Sequence, residues 1–442
     1  MVRLLYSFFE LKKHKSNVQT EIIAGLSSFL ATSYIIVVNP SILSQAGMPF
    51  PAVLTATVIV CCFSSVMMGL YAKNPILVAP GMGLNAFFTF TAVLGMGVPW
   101  QTALGAVFWS GIFFLLLSVF NIRTYIIRAI PKPLRYAIAA GIGLFITLIG
   151  FANAGFIIQT PATIVGVNKL NPTLVTFLIG LLLTAILVVR RVQGAILLGI
   201  LFTTLAAYPI GRWWGGETSE GIKTIVNFAG IFSAPDFSLL FKLDLIGSLQ
   251  WAVIPVIFAF VFTDLFDSLS TLVGLSEAAN LVDENGEPRN IKKALVTDAV
   301  ATTLAGLVGS SPGTAYVESA VGIEAGGRTG LTAVVAGLLF LPFLFMAPLL
   351  SMVPAIATAP ALVLVGAFMI RPVVKINWDN LDDAIPAFIA MVLIPFSYSI
   401  TQGIIWGFLS WTALKMVTGK KESITTALIV IDLFAILALI LE

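Results

Sequence analysis

The sequence predicts an all-α polytopic membrane protein of fourteen transmembrane segments, arranged as two inverted repeats of seven. Three observations predict it. Apolar runs long enough to cross a bilayer recur throughout the chain. The composition is 58% hydrophobic and only 10% charged. The basic residues gather in alternate loops. Soluble domains carry roughly 25% charged residues, and none could hide this much apolar surface. In a bilayer each backbone N–H and C=O must be satisfied within the protein, so helices are the expected form.

A spanning helix needs about 20 apolar residues. Runs of that kind are 21–43, 51–71, 77–97, 102–120, 134–154, 172–189, 192–210, 247–273, 292–309, 330–353, 357–371, 382–399 and 401–418. The run 314–325 is too short for a full span and reads as a half-helix. A last stretch, 424–441, follows Lys420 and Lys421 and reads either as a further span or as a helix at the membrane interface. The organisation is then an N-terminal segment (1–20), a first repeat (21–210), a connector (211–246), a second repeat (247–418) and a C-terminal apolar segment (419–442). No cleavable signal peptide is expected, because the first 20 residues are charged and lack a short apolar core with a small-residue cleavage site.

Loop charge sets the orientation. With the N-terminus in the cytoplasm, only Lys169, Arg212, Lys223 and Lys242 of the 24 Lys and Arg residues fall outside. Cytoplasmic loops carry such an excess, so the order of spans is self-consistent in the cytoplasmic membrane. The connector follows seven spans, an odd number that gives the two halves opposite topology. The third span opens with Pro80-Gly81 followed by Asn85, and the tenth with Pro312-Gly313 followed by Glu318. Paired, interrupted segments at matching positions of inverted repeats point to a transporter binding site.

Three acids carry the functional signal. Asp264 and Asp267 lie in WAVIPVIFAFVFTDLFDSLSTLVG (251–274), and Glu318 lies in SSPGTAYVESAVGI (310–323). A charged carboxylate at the bilayer centre costs about 2.5–3.5 kcal/mol on insertion scales, so such residues face a cavity and mark a substrate or proton path. Asp264 and Asp267 share one helix face at i, i+3, continued by Ser268 and Thr271. Two acids this close resist joint ionisation, which suits proton coupling. Glu318 follows a Pro-Gly break whose backbone groups are free to face a ligand. Bland readings stand beside these: the two aspartates cap or brace a neighbouring helix, Glu318 caps its half-helix or pairs with Arg328, and Asn85 makes an interhelical hydrogen bond. Asp298 is expected to pair with Lys292 or Lys293. Glu324 and Arg328 are expected at the interface, and Asp432 in a membrane-surface helix.

Other classes are disfavoured. Net charge is +3, too small to imply nucleic acid as a partner. Cys61 and Cys62 are adjacent in an apolar run and read as packing residues, and the one histidine, His14, lies in the N-terminal stretch, so no metal site is expected. GGRTG (326–330) and GMG (81–83) are not phosphate loops. No clustered His or Ser/Lys pair suggests an enzyme.

At APGMGLNAFF (79–88), DLFDSLSTLVG (264–274), the stretch 290–340 containing ESAVGIEAGGRTG, and IPFSYSITQGIIWGF (394–408), the chain resembles the AzgA-like purine permeases. The resemblance implies a core domain of spans 1–4 and 8–11, a gate domain of spans 5–7 and 12–14, and short antiparallel strands in segments 3 and 10. It implies proton-coupled uptake of hypoxanthine, guanine or adenine by alternating access, with the proton as coupling ion and no cofactor. By motif position Asp264, Glu318 and Asn85 look like base-contacting residues, Asp267 like a modulator of transport, and Tyr316 and the Val317 backbone like neighbours of the base. Proton coupling falls to Asp267, Glu318 or Asp264. Phe87, Phe88 and Phe262 are candidates to stack on the flat ring. A homodimer is implied by analogy only. The alternative is an anion exchanger or channel of the same fold, but no Lys or Arg occurs in 74–97 or 298–327.

Overall fold

The computed structural model describes residues 2–119, 131–160, 163–217, 223–226, 228, 230–278, 281 and 288–441. Among them, seven helices are long and apolar enough to cross a membrane: Val18–Ala46, Phe50–Ala72, Trp100–Val119, Lys132–Asn153, Pro172–Val189, Ala195–Trp214 and Ala355–Lys375. Shorter apolar helices are Met82–Gly95, Trp251–Leu265 and Gly330–Phe345. Further helices of the second half, Ile291–Val308, Leu381–Phe396 and Ile400–Val417, fall within a few residues of the expected runs 292–309, 382–399 and 401–418. Asp298 lies in the first of these, and Pro386 and Pro395 lie inside the second.

The first long helix is not continuous. Its N-terminal half, Val18–Thr32, is capped by the Asn17 side chain accepting from the Thr20 N–H at 2.9 Å. Thr32 turns its hydroxyl back onto the Ser28 carbonyl, a pattern that bends helices. The chain then turns at Ser33 and Tyr34 before helix Ile35–Leu43 begins. That interruption lies opposite the two crossing strands.

Those strands are Val78–Pro80 and Gly313–Ala315. They pair antiparallel in the register Val78↔Ala315, Ala79↔Thr314, Pro80↔Gly313. Every residue of both is buried. Short strands survive at such depth only where each backbone group finds a partner inside the protein. Here Gly81 N–H donates to the Pro312 carbonyl at 3.0 Å, and Tyr316 N–H to the Leu77 carbonyl at 2.9 Å. The Leu77 N–H donates to Ser319 Oγ at 2.9 Å. The Ser65 hydroxyl closes the outer edge, accepting from Val78 N–H at 3.1 Å and donating to its carbonyl at 3.0 Å.

Around this crossing pack helices Val18–Thr32, Phe50–Met67, Trp100–Val119, Ile254–Ala278, Ile291–Val308 and Gly330–Leu338. A second group comprises Lys132–Asn153, Pro172–Val189, Ala195–Trp214, Ala355–Met369, Leu381–Phe396 and Ile400–Val417. Helix contact is close enough that side chains are excluded at some positions. A Cβ on Gly330 would strike the Gly69 carbonyl, and one on Gly69 the Gly330 carbonyl. The C-terminal stretch is helical over Thr426–Leu441 and lies against Ile400–Val417. Asp432 is buried there, its carboxylate accepting from the Thr412 hydroxyl at 2.6 Å.

Candidate functional site

The site forms where the strand crossing meets helix Ile254–Ala278 and the break at Tyr34. Each candidate residue owes its position to one of these elements. Glu318 immediately precedes the short helix Ser319–Glu324, after strand Gly313–Ala315 has ended. Its Oε1 accepts from the Tyr34 hydroxyl at 2.7 Å. Arg328 is not its partner: that guanidinium donates to the carbonyls of Ile323 (2.5 Å) and Gly327 (2.8 Å). Tyr316 is buried, and its hydroxyl donates to the Pro80 carbonyl at 2.5 Å, bolting one strand to the other. The Val317 side chain is 53% exposed, and Asp267 and Glu318 are themselves only partly covered. Asp267 and Glu318 lie within Coulombic reach of each other, and Tyr34 within reach of both. Two partly covered acids thus lie beside the buried strand pair.

Asp264 sits one turn deeper and is 1% exposed. Its Oδ2 accepts from the Thr302 hydroxyl at 2.7 Å, and its Oδ1 lies 3.4 Å from Ser268 Oγ. Ser268 also meets Asp298 and lies 2.7 Å from the Thr314 hydroxyl. One buried polar knot thus joins helix Ile254–Ala278, helix Ile291–Val308 and strand Gly313–Ala315. Asp298 belongs to that knot. It is fully buried and bonded to Ser268, which replaces the expected pairing with Lys292 or Lys293. The reason is helical phase: Asp298 and Thr302 are i, i+4 and share a face, whereas Lys293 lies around the helix.

Asn85 is on the opposite wall, in the short helix Met82–Ala86 that follows strand Val78–Pro80. It is wholly buried, and its Oδ1 accepts from the Ser311 hydroxyl at 2.5 Å. Asn85 and Glu318 therefore flank the two ends of one strand pair. Of the aromatic candidates, Phe87 packs edge-on against Phe260 with centroids 4.8 Å apart, and Phe88 lies fully buried 6.5 Å from the same ring. Phe262 faces Phe408 across the seam between the two helix groups, 6.3 Å away. Farther along that seam Thr91 donates to the Tyr398 carbonyl at 3.1 Å, and the Tyr398 ring stands edge-on to Phe145 at 5.1 Å. A cleft of about 390 Å³ opens beside it, lined by Phe90, Thr91, Ser397, Tyr398 and Gln402 among others.

Two buried residues that brace the Glu318 segment carry no local mark in the sequence. Tyr34 holds Glu318, as described. Glu21 is fully buried and accepts from Arg328 N–H (3.1 Å), Thr329 N–H (3.3 Å) and the Thr332 hydroxyl (2.6 Å), anchoring the turn that follows the Glu318 helix. Among the described residues no three His, Cys, Asp or Glu side chains converge as metal ligands.

This geometry can be set beside known proteins. A family model described as "Permease family" matches residues 19–406. The chain belongs to the Permease family. This permease is 42% identical over 440 residues to the adenine permease AdeP of Escherichia coli, covering 99% of this chain and 96% of that one. It is 39% identical over 435 residues to the guanine/hypoxanthine permease PbuO of Bacillus subtilis, covering 97% and 98%. In fold, the permease superposes on the transmembrane domain of a cyanobacterial bicarbonate transporter, BicA, with a TM-score of 0.64. The two share 16% identity, and the match covers 88% of this chain and 97% of that one. That likeness shows a shared membrane-transporter architecture and nothing about the ligand.

Proposed function

We propose that this permease carries purine nucleobases into the cell across the cytoplasmic membrane, with a proton moving in the same direction. The observation that carries the reading is Glu318. It is a carboxylate beside an exposed side chain, Val317, at the edge of a buried strand crossing, held in one position by the Tyr34 hydroxyl. A purine edge offers adjacent N–H donors. A carboxylate can accept two of them side by side, and a site with a buried acceptor rejects ligands that lack the donor. The names of the relatives, adenine and guanine/hypoxanthine permeases, support the substrate class.

In this reading Glu318 meets the base first. Asp264 and Asn85 complete the site as the two helix groups move, and Tyr316 and the Val317 backbone border the ring. Asp267, within reach of Glu318, tunes transport and shares the proton. The fourteen-segment, seven-plus-seven plan is part of the proposal, with repeats at 21–210 and 247–418 joined by 211–246 and with the N-terminus in the cytoplasm. The antiparallel strand pair built from segments three and ten supports it. The two packed helix groups would be core and gate, rocking against each other about the site.

The test is uptake of radiolabelled hypoxanthine, guanine and adenine into vesicles holding the purified protein, with and without a pH gradient. Accumulation above the outside concentration is expected only when the outside is more acidic. Equal uptake under both conditions would remove the proton, and no uptake of any purine would remove the substrate class.

A further inference from the structure

The turn between helices Leu381–Phe396 and Ile400–Val417 places an aromatic residue where glycine is usual. Helix Leu381–Phe396 ends in a Schellman pattern: the Tyr398 N–H donates to the Pro395 carbonyl at 3.4 Å and the Ser399 N–H to the Ile394 carbonyl at 3.2 Å. Tyr398 itself has a φ of +55°. Glycine takes that left-handed position most often, because a Cβ is strained there. A tyrosine kept at such a place needs a use for its ring. The ring stands edge-on to Phe145 of its own helix group at 5.1 Å, and edge-on to Phe90 at 6.4 Å. Phe90 belongs to helix Met82–Gly95, which continues from strand Val78–Pro80 of the crossing. The Tyr398 carbonyl accepts from the Thr91 hydroxyl at 3.1 Å. A threonine within a helix commonly turns its hydroxyl back to a carbonyl of its own helix, as Thr184 and Thr203 do here. Thr91 instead reaches across the seam between the two helix groups.

The loop charges put this turn on the outside: Lys375 precedes the helix that enters it, and Lys415 ends the helix that leaves it. Farther along the same seam Phe262 faces Phe408, and both are buried. Val317, the exposed residue of the site, lies past the strand crossing on the chain's course to Arg328, which the same charges put inside. The path to the site is thus covered on the outer side and open on the inner. We propose that Tyr398 is the outer gate of this permease: its ring, together with its bond from Thr91, latches the two helix groups to each other, and release of that latch opens the outer route to Glu318. This rests on the reading of the two groups as the moving parts of a transporter. The cleft of about 390 Å³ beside Tyr398 is then the outer vestibule that ends at the gate.

The experiment reads access to the seam from each side with a membrane-impermeant maleimide, in full-length protein carrying Cys61→Ala and Cys62→Ala and one reporter cysteine. Phe262→Cys reports from outside in right-side-out vesicles, and Val317→Cys from inside in inverted vesicles. Thr91→Val removes the latch hydroxyl and keeps the volume. Tyr398→Gly removes the ring and suits the left-handed backbone, so the helix end should persist. Thr91→Val should raise the outside labelling rate of Phe262→Cys about five-fold, the worth of about one hydrogen bond, and Tyr398→Gly at least as much. Thr91→Ser and Tyr398→Phe, which keep the bond and the ring, should label like the parent. Inside labelling of Val317→Cys should not rise in any of them. Unchanged outside labelling in both Thr91→Val and Tyr398→Gly would overturn the gate. So would a rise on both sides, which marks a loosened protein. A rise in Tyr398→Gly alone would overturn the Thr91 latch. No base is present in this assay, so failure of purine uptake elsewhere would sink the substrate class and leave the gate standing.

Discussion

Tyr34 and Glu318 are 284 residues apart in sequence, and a single 2.7 Å hydrogen bond joins them across the strand crossing. Tyr34 lies where the first long helix is interrupted, at Ser33 and Tyr34. Tyr34 is itself buried, and the bond fixes one oxygen of Glu318. A preorganised acceptor of this kind lowers the entropy lost when a ligand is ordered.

Replacing Tyr34 by Phe deletes only the hydroxyl. One hydrogen bond of preorganisation is about 1 kcal/mol, so KM for purine uptake should rise about five-fold with the protein folded and inserted normally. Uptake kinetics at matched membrane amounts check this. An unchanged KM would mean that the fixed position of Glu318 is irrelevant to binding.

Glu21 makes a structural prediction. It accepts two backbone N–H groups and one hydroxyl in a fully buried place. Glu21→Ala leaves those donors without a partner and should cost about 2–4 kcal/mol, since each orphaned buried group costs about 1–3 kcal/mol. Glu21→Gln keeps an acceptor oxygen and should cost less. Thermal unfolding in detergent should rank wild type above Glu21→Gln and Glu21→Ala last.

Helix crossing at Gly69 and Gly330 allows no side chain at either position. Gly330→Ala forces backbone against backbone, a strain of about 1–3 kcal/mol by comparison with overpacked cores. The variant should unfold at lower temperature, while Gly419→Ala, at a position with nothing within 4 Å but a φ of +74°, should show only a smaller backbone penalty.

At the N-terminal side His14 sits with its ring nitrogens 3.1 Å from the Arg289 guanidinium. Burial, Arg289 and Lys13 hold its pKa below the ordinary 6.5, while Glu10 and Glu21 oppose them. The sign follows directly. Above pH 6.5 the ring is neutral whether docked or free, so docking carries no penalty. As pH falls below that value the released ring binds a proton before the docked one does, so docking weakens. Protection of residues 5–16, measured as the exchange rate relative to the intrinsic rate at each pH, should therefore fall between neutral and mildly acidic pH, and His14→Gln should flatten that dependence.

What the sequence made legible followed from cost. Intramembrane acids are expensive and Pro-Gly breaks are conspicuous, so Asp264, Asp267, Glu318 and the two interrupted segments stood out from local sequence alone. The strands paired at Val78–Pro80 and Gly313–Ala315 lie in those interrupted segments. Other features had no local mark. Tyr34 is one aromatic among many, and its partner is distant in sequence. Glu21 opens a helix, where an acid ordinarily faces solvent beside the N-terminal dipole, yet here the turn at Arg328–Thr332 closes over it. Asp298 was misread because nearby lysines outweighed helical phase, although its i, i+4 relation to Thr302 was available.

The central claim is that Glu318 receives the purine at the strand crossing. Equilibrium binding of radiolabelled hypoxanthine, guanine and adenine to purified wild-type and Glu318→Gln protein tests it most directly, because binding needs no gradient and no transport cycle. Loss of at least about ten-fold in affinity is expected for the base that binds wild type best, the worth of a hydrogen bond to a charged group, with thermal stability preserved. Wild-type affinity in Glu318→Gln for every purine would contradict the account.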